Sequence, residues 1–318
     1  MKTVLLERNS LGVDIDVTRF GDFGEYVEYP VSSAEETVER VADADVIVVN
    51  KVPMNATTLA KAKNLKLICE TATGVDNIDL EYCKANGITV TNVKGYSTAM
   101  VAQHTFALYL YLSEHMPYYD KYVKSGEYAN QPRFSNFDLS FNEIDGKTWG
   151  IIGLGEIGRA VAKIATAFGA KVIYYSASGN KQDVPYECVD KDTLLKESDV
   201  LSIHAPLNDK TRGLIDAEAL KKMKKSAYLI NVGRGPIIVD EDLANALEAG
   251  EIAGAGLDVL GKEPIAKDNP LGKIMDSDKI IITPHLAWAS VEARERLVNE
   301  VYLNEKAFIA GEKRGVVC

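Results

Sequence analysis

Apolar residues fall in short, β-branched runs separated by stretches whose apolar positions recur at helical spacing. In the first third, Lys2–Leu6, Val46–Val49, Leu65–Cys69 and Ile88–Thr91 read as strands, with Ala34–Ala42 and Asn77–Asn86 as helices between them. This βαβ rhythm predicts a parallel sheet covered on both faces. A second rhythm begins near residue 148, where Thr148–Ile152 reads as a strand, Glu156–Phe168 as a helix and Lys171–Tyr175 as a strand. Leu201–Ile203, Ala227–Asn231, Ala253–Leu257 and Ile280–Ile282 follow as further strands. Neither rhythm repeats the other in sequence.

Two long helical stretches lie outside these rhythms. Ser97–Glu114, with a serine at its N-cap, and Ser290–Ala310 read as crossings between two domains. One domain is then discontinuous, residues 1–98 plus 290–318, and the other spans 99–289. The expected class is α/β, with two Rossmann-like domains built on parallel sheets and an active site in the cleft between them. The stretch Gly126–Asn142 carries Phe134, Phe137 and Phe141, too many aromatics for a solvated loop. It is expected to bury them against something such as a second subunit.

Composition narrows the function. Hydrophobic residues make up 46% and charged residues 26% of 318, which is globular and leaves room for two cores. The net charge of −10, with no basic block beyond Lys221–Lys225, disfavours nucleic acid as a partner. No apolar run reaches membrane-spanning length, and the N-terminal apolar run is too short for a signal-peptide core. Cys69, Cys83, Cys188 and Cys318 are scattered, without the close pairs that zinc ligands prefer. A reducing, cytoplasmic setting and no metal are therefore expected.

Gly153-Leu154-Gly155-Glu156-Ile157-Gly158 follows a predicted strand and opens a predicted helix. Glycines at this spacing allow a tight turn, close approach of a pyrophosphate and close helix–sheet packing, and the helix start supplies amides for the anion. A ribose-reading carboxylate usually ends the next strand, but that place holds Ser176. Serine can bond a ribose 2′-hydroxyl without repelling a 2′-phosphate, and Asn180 and Lys181 can assist a phosphate. NAD or NADP therefore both fit, with a slight preference for NAD.

A proton donor working near neutral pH is most often histidine. Of the four present, His104 lies among apolar helical neighbours and reads as structural, and His115 sits near a helix C-terminus. His204 follows one strand and His285 another, at the sheet edge where open α/β folds bind ligands. Arg234 follows Ala227–Asn231, flanked by glycines that let its guanidinium meet a carboxylate bidentately. Glu263 follows Leu257–Leu260 and can orient an imidazole. An arginine, an acid and a histidine at successive strand ends are what reduction of a small anionic 2-oxo acid requires.

Gly153–Gly158, Asn231–Asp240 (NVGRGPIIVD), Leu257–Pro264 (LDVLGKEP) and Thr283–Ala287 (TPHLA) resemble the D-isomer-specific 2-hydroxyacid dehydrogenase family, in order and over essentially the whole chain. Gly95–Ser97, Ala102–Thr105 and His285–Ala289 most resemble its glycerate dehydrogenase/hydroxypyruvate reductase group. The resemblance implies that Arg234 binds the substrate carboxylate, His285 exchanges the proton and Glu263 bonds the histidine. It implies further carboxylate contacts at Thr73 and Gly74, within Thr71–Asp76. It places Ser176, His204, Pro206, Val232 and Asp258 with the glycine-rich loop on the cofactor side. Residues 1–98 plus 290–318 become the substrate domain, 99–289 the dinucleotide domain, and the assembly a homodimer. Hydroxypyruvate or glyoxylate is the implied substrate. Pyruvate, phenylpyruvate and a nicotinamide-sensing, corepressor-like role remain as alternatives.

Overall fold

Four consecutive apolar residues with every side chain buried, as at Val46–Val49, need a sheet covered on both faces. The computed structural model describes residues 1–318 and divides into two units, Met1–Ser97 with Ala289–Cys318, and Thr98–Trp288. In the first, strands β1 (Lys2–Leu5), β2 (Glu25–Glu28), β3 (Val46–Val49), β4 (Leu67–Glu70) and β5 (Thr89–Thr91) pair in parallel, in the order β2-β1-β3-β4-β5. Asp79 accepts from the Tyr82 amide at 2.9 Å and so caps the helix Leu80–Ala85. That cap makes the helix begin later than the expected Asn77.

The second unit holds β6 (Thr148–Ile152), β7 (Lys171–Tyr175), β8 (Glu187–Cys188), β9 (Val200–Ile203), β10 (Tyr228–Asn231), β11 (Gly254–Leu257) and β12 (Ile280–Ile282). They pair in parallel as β12-β11-β10-β9-β6-β7-β8. The chain runs outward from β6 to β8, then returns to β9 and runs outward the other way. The reversal between β6 and β9 is a topological switch point, where such sheets bind ligands beyond their strand ends. All seven carboxyl ends share one edge, which brings the loops after β6, β9, β10, β11 and β12 to one side. The helix Thr98–Ser113 covers a face, with Phe106 stacked on buried Trp149 at 4.5 Å between centroids. Trp149 Nε1 donates to Ser202 Oγ at 2.9 Å, so the largest core side chain leaves no polar atom unpaired.

Two strands and one α-helix went unpredicted. β2 (Glu-Tyr-Val-Glu) is an edge strand with exposed ends and no buried residue. β8 is two residues long. The helix Met116–Lys124 also buries no residue, and His115 before it takes a left-handed backbone that separates it from Thr98–Ser113. Phe134, Phe137 and Phe141 are 90%, 75% and 56% exposed, so this chain alone does not cover them. No helix is long and apolar enough to cross a membrane.

The first unit buries a carboxyl with little compensation. Glu305, on the helix Val291–Ile309, accepts from Thr3 Oγ1 at 2.6 Å through one oxygen, and its other oxygen has no partner. Burial raises its pKa to about 7, against a smaller downward pull from Thr3. An acid whose folded pKa lies above its unfolded value stabilises fully below the unfolded value, and that contribution is lost as pH rises through the folded one. Between pH 4.5 and 7 this group should therefore cost up to roughly 3 kcal/mol. Glu305→Gln should flatten that part of the profile, read as urea midpoints across pH. An unchanged slope would mean that Glu305 stays charged.

Candidate active site

The turn after β6 uses its three glycines differently. Gly153 has a left-handed backbone, φ 89°, and a Cβ there would lie 2.8 Å from the Ala205 main chain. A Cβ on Gly158 would lie 2.3 Å from Gly153 O, so this glycine closes the helix onto the turn. A Cβ on Gly155 would meet nothing within 4 Å, and no side chain caps the helix Glu156–Ala167 that Gly155 starts. Open space over uncapped first-turn amides, at the switch point, fits a dinucleotide pyrophosphate. Glu156 is exposed in that first turn. Its carboxylate opposes a second anion, so its main-chain amide is the part that fits, as for half-buried Ile157.

At the end of β7, Ser176 Oγ lies 3.1 Å from Ser178 Oγ. Arg159 Nε donates to Gln182 Oε1 at 3.1 Å beside this segment. No carboxylate stands in the Ser176–Lys181 run, which leaves both a 2′-hydroxyl and a 2′-phosphate acceptable. After β9, Pro206 is exposed, whereas Val232 after β10 is buried. His204 Nε2 lies 3.0 Å from Ser202 Oγ, and burial lowers the imidazole to about 3. An imidazole held neutral throughout the physiological range has no imidazolium proton to give, and His204 Nδ1 has no partner where His285 Nδ1 has Glu263.

Asn231 ends β10 and is almost fully buried. Its Oδ1 accepts from Gly233 N at 3.0 Å and its Nδ2 donates to Arg234 O at 3.0 Å, so one side chain shapes the loop that presents Arg234. A Cβ on Gly235 would lie 1.9 Å from Leu260 C, which seats this loop directly on the one after β11. There Glu263 Oε1 accepts from Leu260 N at 2.9 Å, and Glu263 Oε2 lies 2.6 Å from His285 Nδ1. A carboxylate on Nδ1 fixes the neutral tautomer with its proton there, stabilises the imidazolium, and leaves Nε2 for proton exchange. Both side chains are partly open, 26% for His285 and 33% for Glu263, so solvent or substrate reaches them. Trp288 Nε1 donates to His285 O at 2.9 Å and braces the same turn.

Asp258 is buried, and its oxygens accept from Thr283 Oγ1, Leu286 N and Ala287 N. Its side chain therefore organises the His285 loop. In the first unit, Thr73 is exposed and spends its hydroxyl on Val93 O at 2.7 Å. Asn92 Nδ2 donates to Thr73 O at 2.6 Å, and Asn50 Nδ2 holds Thr71 through its carbonyl and hydroxyl. The loop's acceptors are thus tied inward, whereas the Thr73 and Gly74 amides make no hydrogen bond within the unit. Amides left over in this way suit an anion. No group of three or more His, Cys, Asp or Glu side chains is placed to hold a metal ion.

The braces Asn50, Asn92, Asn231 and Thr283 were not singled out from sequence. Their signal is a polar residue closing or directly following an apolar strand, where the main chain needs partners as it leaves the sheet.

A dinucleotide turn at the switch point, with an arginine and an acid–imidazole pair on the same sheet edge, defines a nicotinamide-dependent oxidoreductase. The profile of the D-isomer specific 2-hydroxyacid dehydrogenase NAD binding domain matches residues 106–287. A glycerate dehydrogenase of Methylorubrum extorquens is 41% identical over 99% of this chain and 98% of its own. A hydroxypyruvate reductase of Blautia hydrogenotrophica is 38% identical over 100% of this chain and 99% of its own. Among solved structures, an acyclic imino acid reductase in complex with NADPH and D-Arg superposes with a TM-score of 0.88, at 31% identity over 100% of both chains. The chain belongs to the D-isomer specific 2-hydroxyacid dehydrogenase family. It is an oxidoreductase that uses NAD or NADP.

Proposed function

We propose that this enzyme reduces hydroxypyruvate or glyoxylate to the D-2-hydroxy acid, and catalyses the reverse reaction. The observation that carries the reading is the 2.6 Å contact of Glu263 with His285 Nδ1, on the sheet edge that also bears Arg234. The relatives named for glycerate and hydroxypyruvate support hydroxypyruvate, and a relative named glyoxylate reductase supports glyoxylate. When bound, the reduced nicotinamide supplies the hydride for the carbonyl carbon. The Gly155–Ile157 amides would hold its pyrophosphate, with Gly153 and Gly158 shaping the turn. Arg234 grips the substrate carboxylate through two parallel hydrogen bonds. The Thr73 and Gly74 amides are the first unit's donors to an anionic group. Protonated His285 gives the Nε2 proton to the carbonyl oxygen, and Glu263 stabilises the charged imidazole before that transfer. In the reverse direction neutral His285 accepts the proton at Nε2.

The test is oxidation of NADH and NADPH with hydroxypyruvate, glyoxylate, pyruvate and phenylpyruvate under matched conditions. Hydroxypyruvate or glyoxylate should give the highest kcat/KM, and the coenzyme ratio then shows what Ser176 selects. A preference for phenylpyruvate or pyruvate would overturn the substrate assignment. A cytoplasmic homodimer completes the reading, with the exposed Phe134–Phe141 stretch of the second unit as its favoured contact surface. Sedimentation at the single-chain mass of 34.8 kDa would contradict the dimer.

A further inference from the structure

His285 is one of two non-glycine residues with a left-handed backbone, φ 54°. A residue with a Cβ stays there only where its surroundings over-determine it. Those surroundings are explicit. Asp258 Oδ1 accepts from Leu286 N at 2.9 Å, Asp258 Oδ2 from Ala287 N at 2.8 Å, and Asp258 O from His285 N at 2.9 Å. One residue thus holds three successive amides beginning at His285.

Thr283, two residues before the histidine, is the pivot. Its hydroxyl lies 2.6 Å from Asp258 Oδ1 and 3.0 Å from His104 Nε2. A hydroxyl has one hydrogen, and a carboxylate already receiving two amides can only accept. The Thr283 hydrogen therefore goes to Asp258, and Thr283 Oγ1 accepts from His104 Nε2–H. The direction is fixed: His104 donates to Thr283, and Thr283 donates to Asp258. His104 is buried on the helix Thr98–Ser113, and burial pulls its imidazole below the ordinary value, against a weaker upward pull from Asp258. It therefore acts as a neutral donor, and its 3.6 Å approach to Asp258 Oδ1 needs no charge on the ring.

We propose that Thr283 and His104 are positioning residues for His285: their directed chain orients Asp258 so that it holds the histidine turn left-handed, with Nδ1 on Glu263. This rests on the reading of His285 as the proton-exchanging group, and it adds that a helix remote in sequence sets the orientation. Neither residue touches the reacting atoms.

Thr283→Val keeps the shape and removes the hydroxyl, and Thr283→Ser restores the hydroxyl. His104→Leu removes the donor, and His104→Gln returns an N–H at similar reach. Two readouts apply to each variant. One is kcat with KM for the acid and Kd for NADH. The other is the His285 Nδ1 proton resonance in histidine-labelled protein, assigned by its loss in His285→Asn. Thr283→Val should lower kcat about tenfold, the effect of one lost buried hydrogen bond, with KM and Kd within about twofold. It should also broaden or remove the resonance, and Thr283→Ser should recover both. Retained kcat and resonance in Thr283→Val, even with a lowered Tm, would overturn the proposal. If that variant does not fold, the Leu and Gln substitutions at His104 decide by the same readouts. If the wild-type enzyme turns over none of the acids, the functional reading fails, and the resonance still decides whether the chain positions His285.

Discussion

Replacing His285 with glutamine should lower 2-oxo acid reduction by on the order of 10³-fold, within the range a positioned general acid contributes. Glutamine can donate a hydrogen bond from a similar position but cannot release and regain a proton. The residues proposed for the nucleotide pyrophosphate lie on the loop after β6, so the NADH dissociation constant, read by fluorescence titration, should stay within about twofold. His285 has a left-handed backbone, φ 54°, that asparagine adopts more readily than glutamine. His285→Asn therefore serves as the control for a distorted loop, and should be equally inactive with cofactor binding intact. Substantial turnover in both variants would mean that another group carries the proton. His204 is a poor substitute, because burial holds it neutral, at about 3.

Arg234→Lys should cost about 100-fold in kcat/KM, the worth of a charged, paired hydrogen bond. A lysine keeps the charge and loses the fork. Asn231 clamps the main chain on both sides of this position, through Gly233 N and Arg234 O, so the loop cannot readily move to bring a shorter head group to the carboxylate. Both KM and kcat should suffer, because the same contact binds the acid and aligns its carbonyl. Steady-state kinetics of the two proteins side by side check this, and near-normal kcat/KM in the variant would reject the assigned role.

Much of this was legible in the residues because parallel sheets impose order. A buried strand must be an apolar run, and the polar residue following it stands at the ligand-binding edge. Arg234, Glu263 and His285 each follow such a run, which is how they stood out, and the glycine spacing over Gly153–Gly158 marked the turn after β6. What stayed hidden has physical causes too. β2 is an edge strand whose Glu25 and Glu28 face solvent, so no apolar run announces it. The helix Met116–Lys124 buries no residue, so no core-facing run marks it. His104 read as a satisfied structural residue from its neighbours, and only the fold brings Thr283 to its Nε2 across 179 residues of sequence. Asp258 was placed on the cofactor side by resemblance, and the fold adds that its carboxylate braces the His285 turn. The His104–Thr283 and Asp258–Ala287 contacts join residues far apart in the chain, and no local spacing encodes them.

The proposed reaction is a stereospecific exchange between a nicotinamide and a small D-2-hydroxy acid, carried by Arg234, Glu263 and His285. The most direct measurement is the oxidation of D-glycerate and of L-glycerate, each with NAD and with NADP, followed by absorbance of the reduced coenzyme. The D isomer should turn over and the L isomer should not, and turnover of the D isomer should be lost in His285→Asn. Turnover of L-glycerate at a comparable rate would contradict it. So would oxidation of neither isomer while coenzyme binding is demonstrated, a result that would favour a nicotinamide-sensing role.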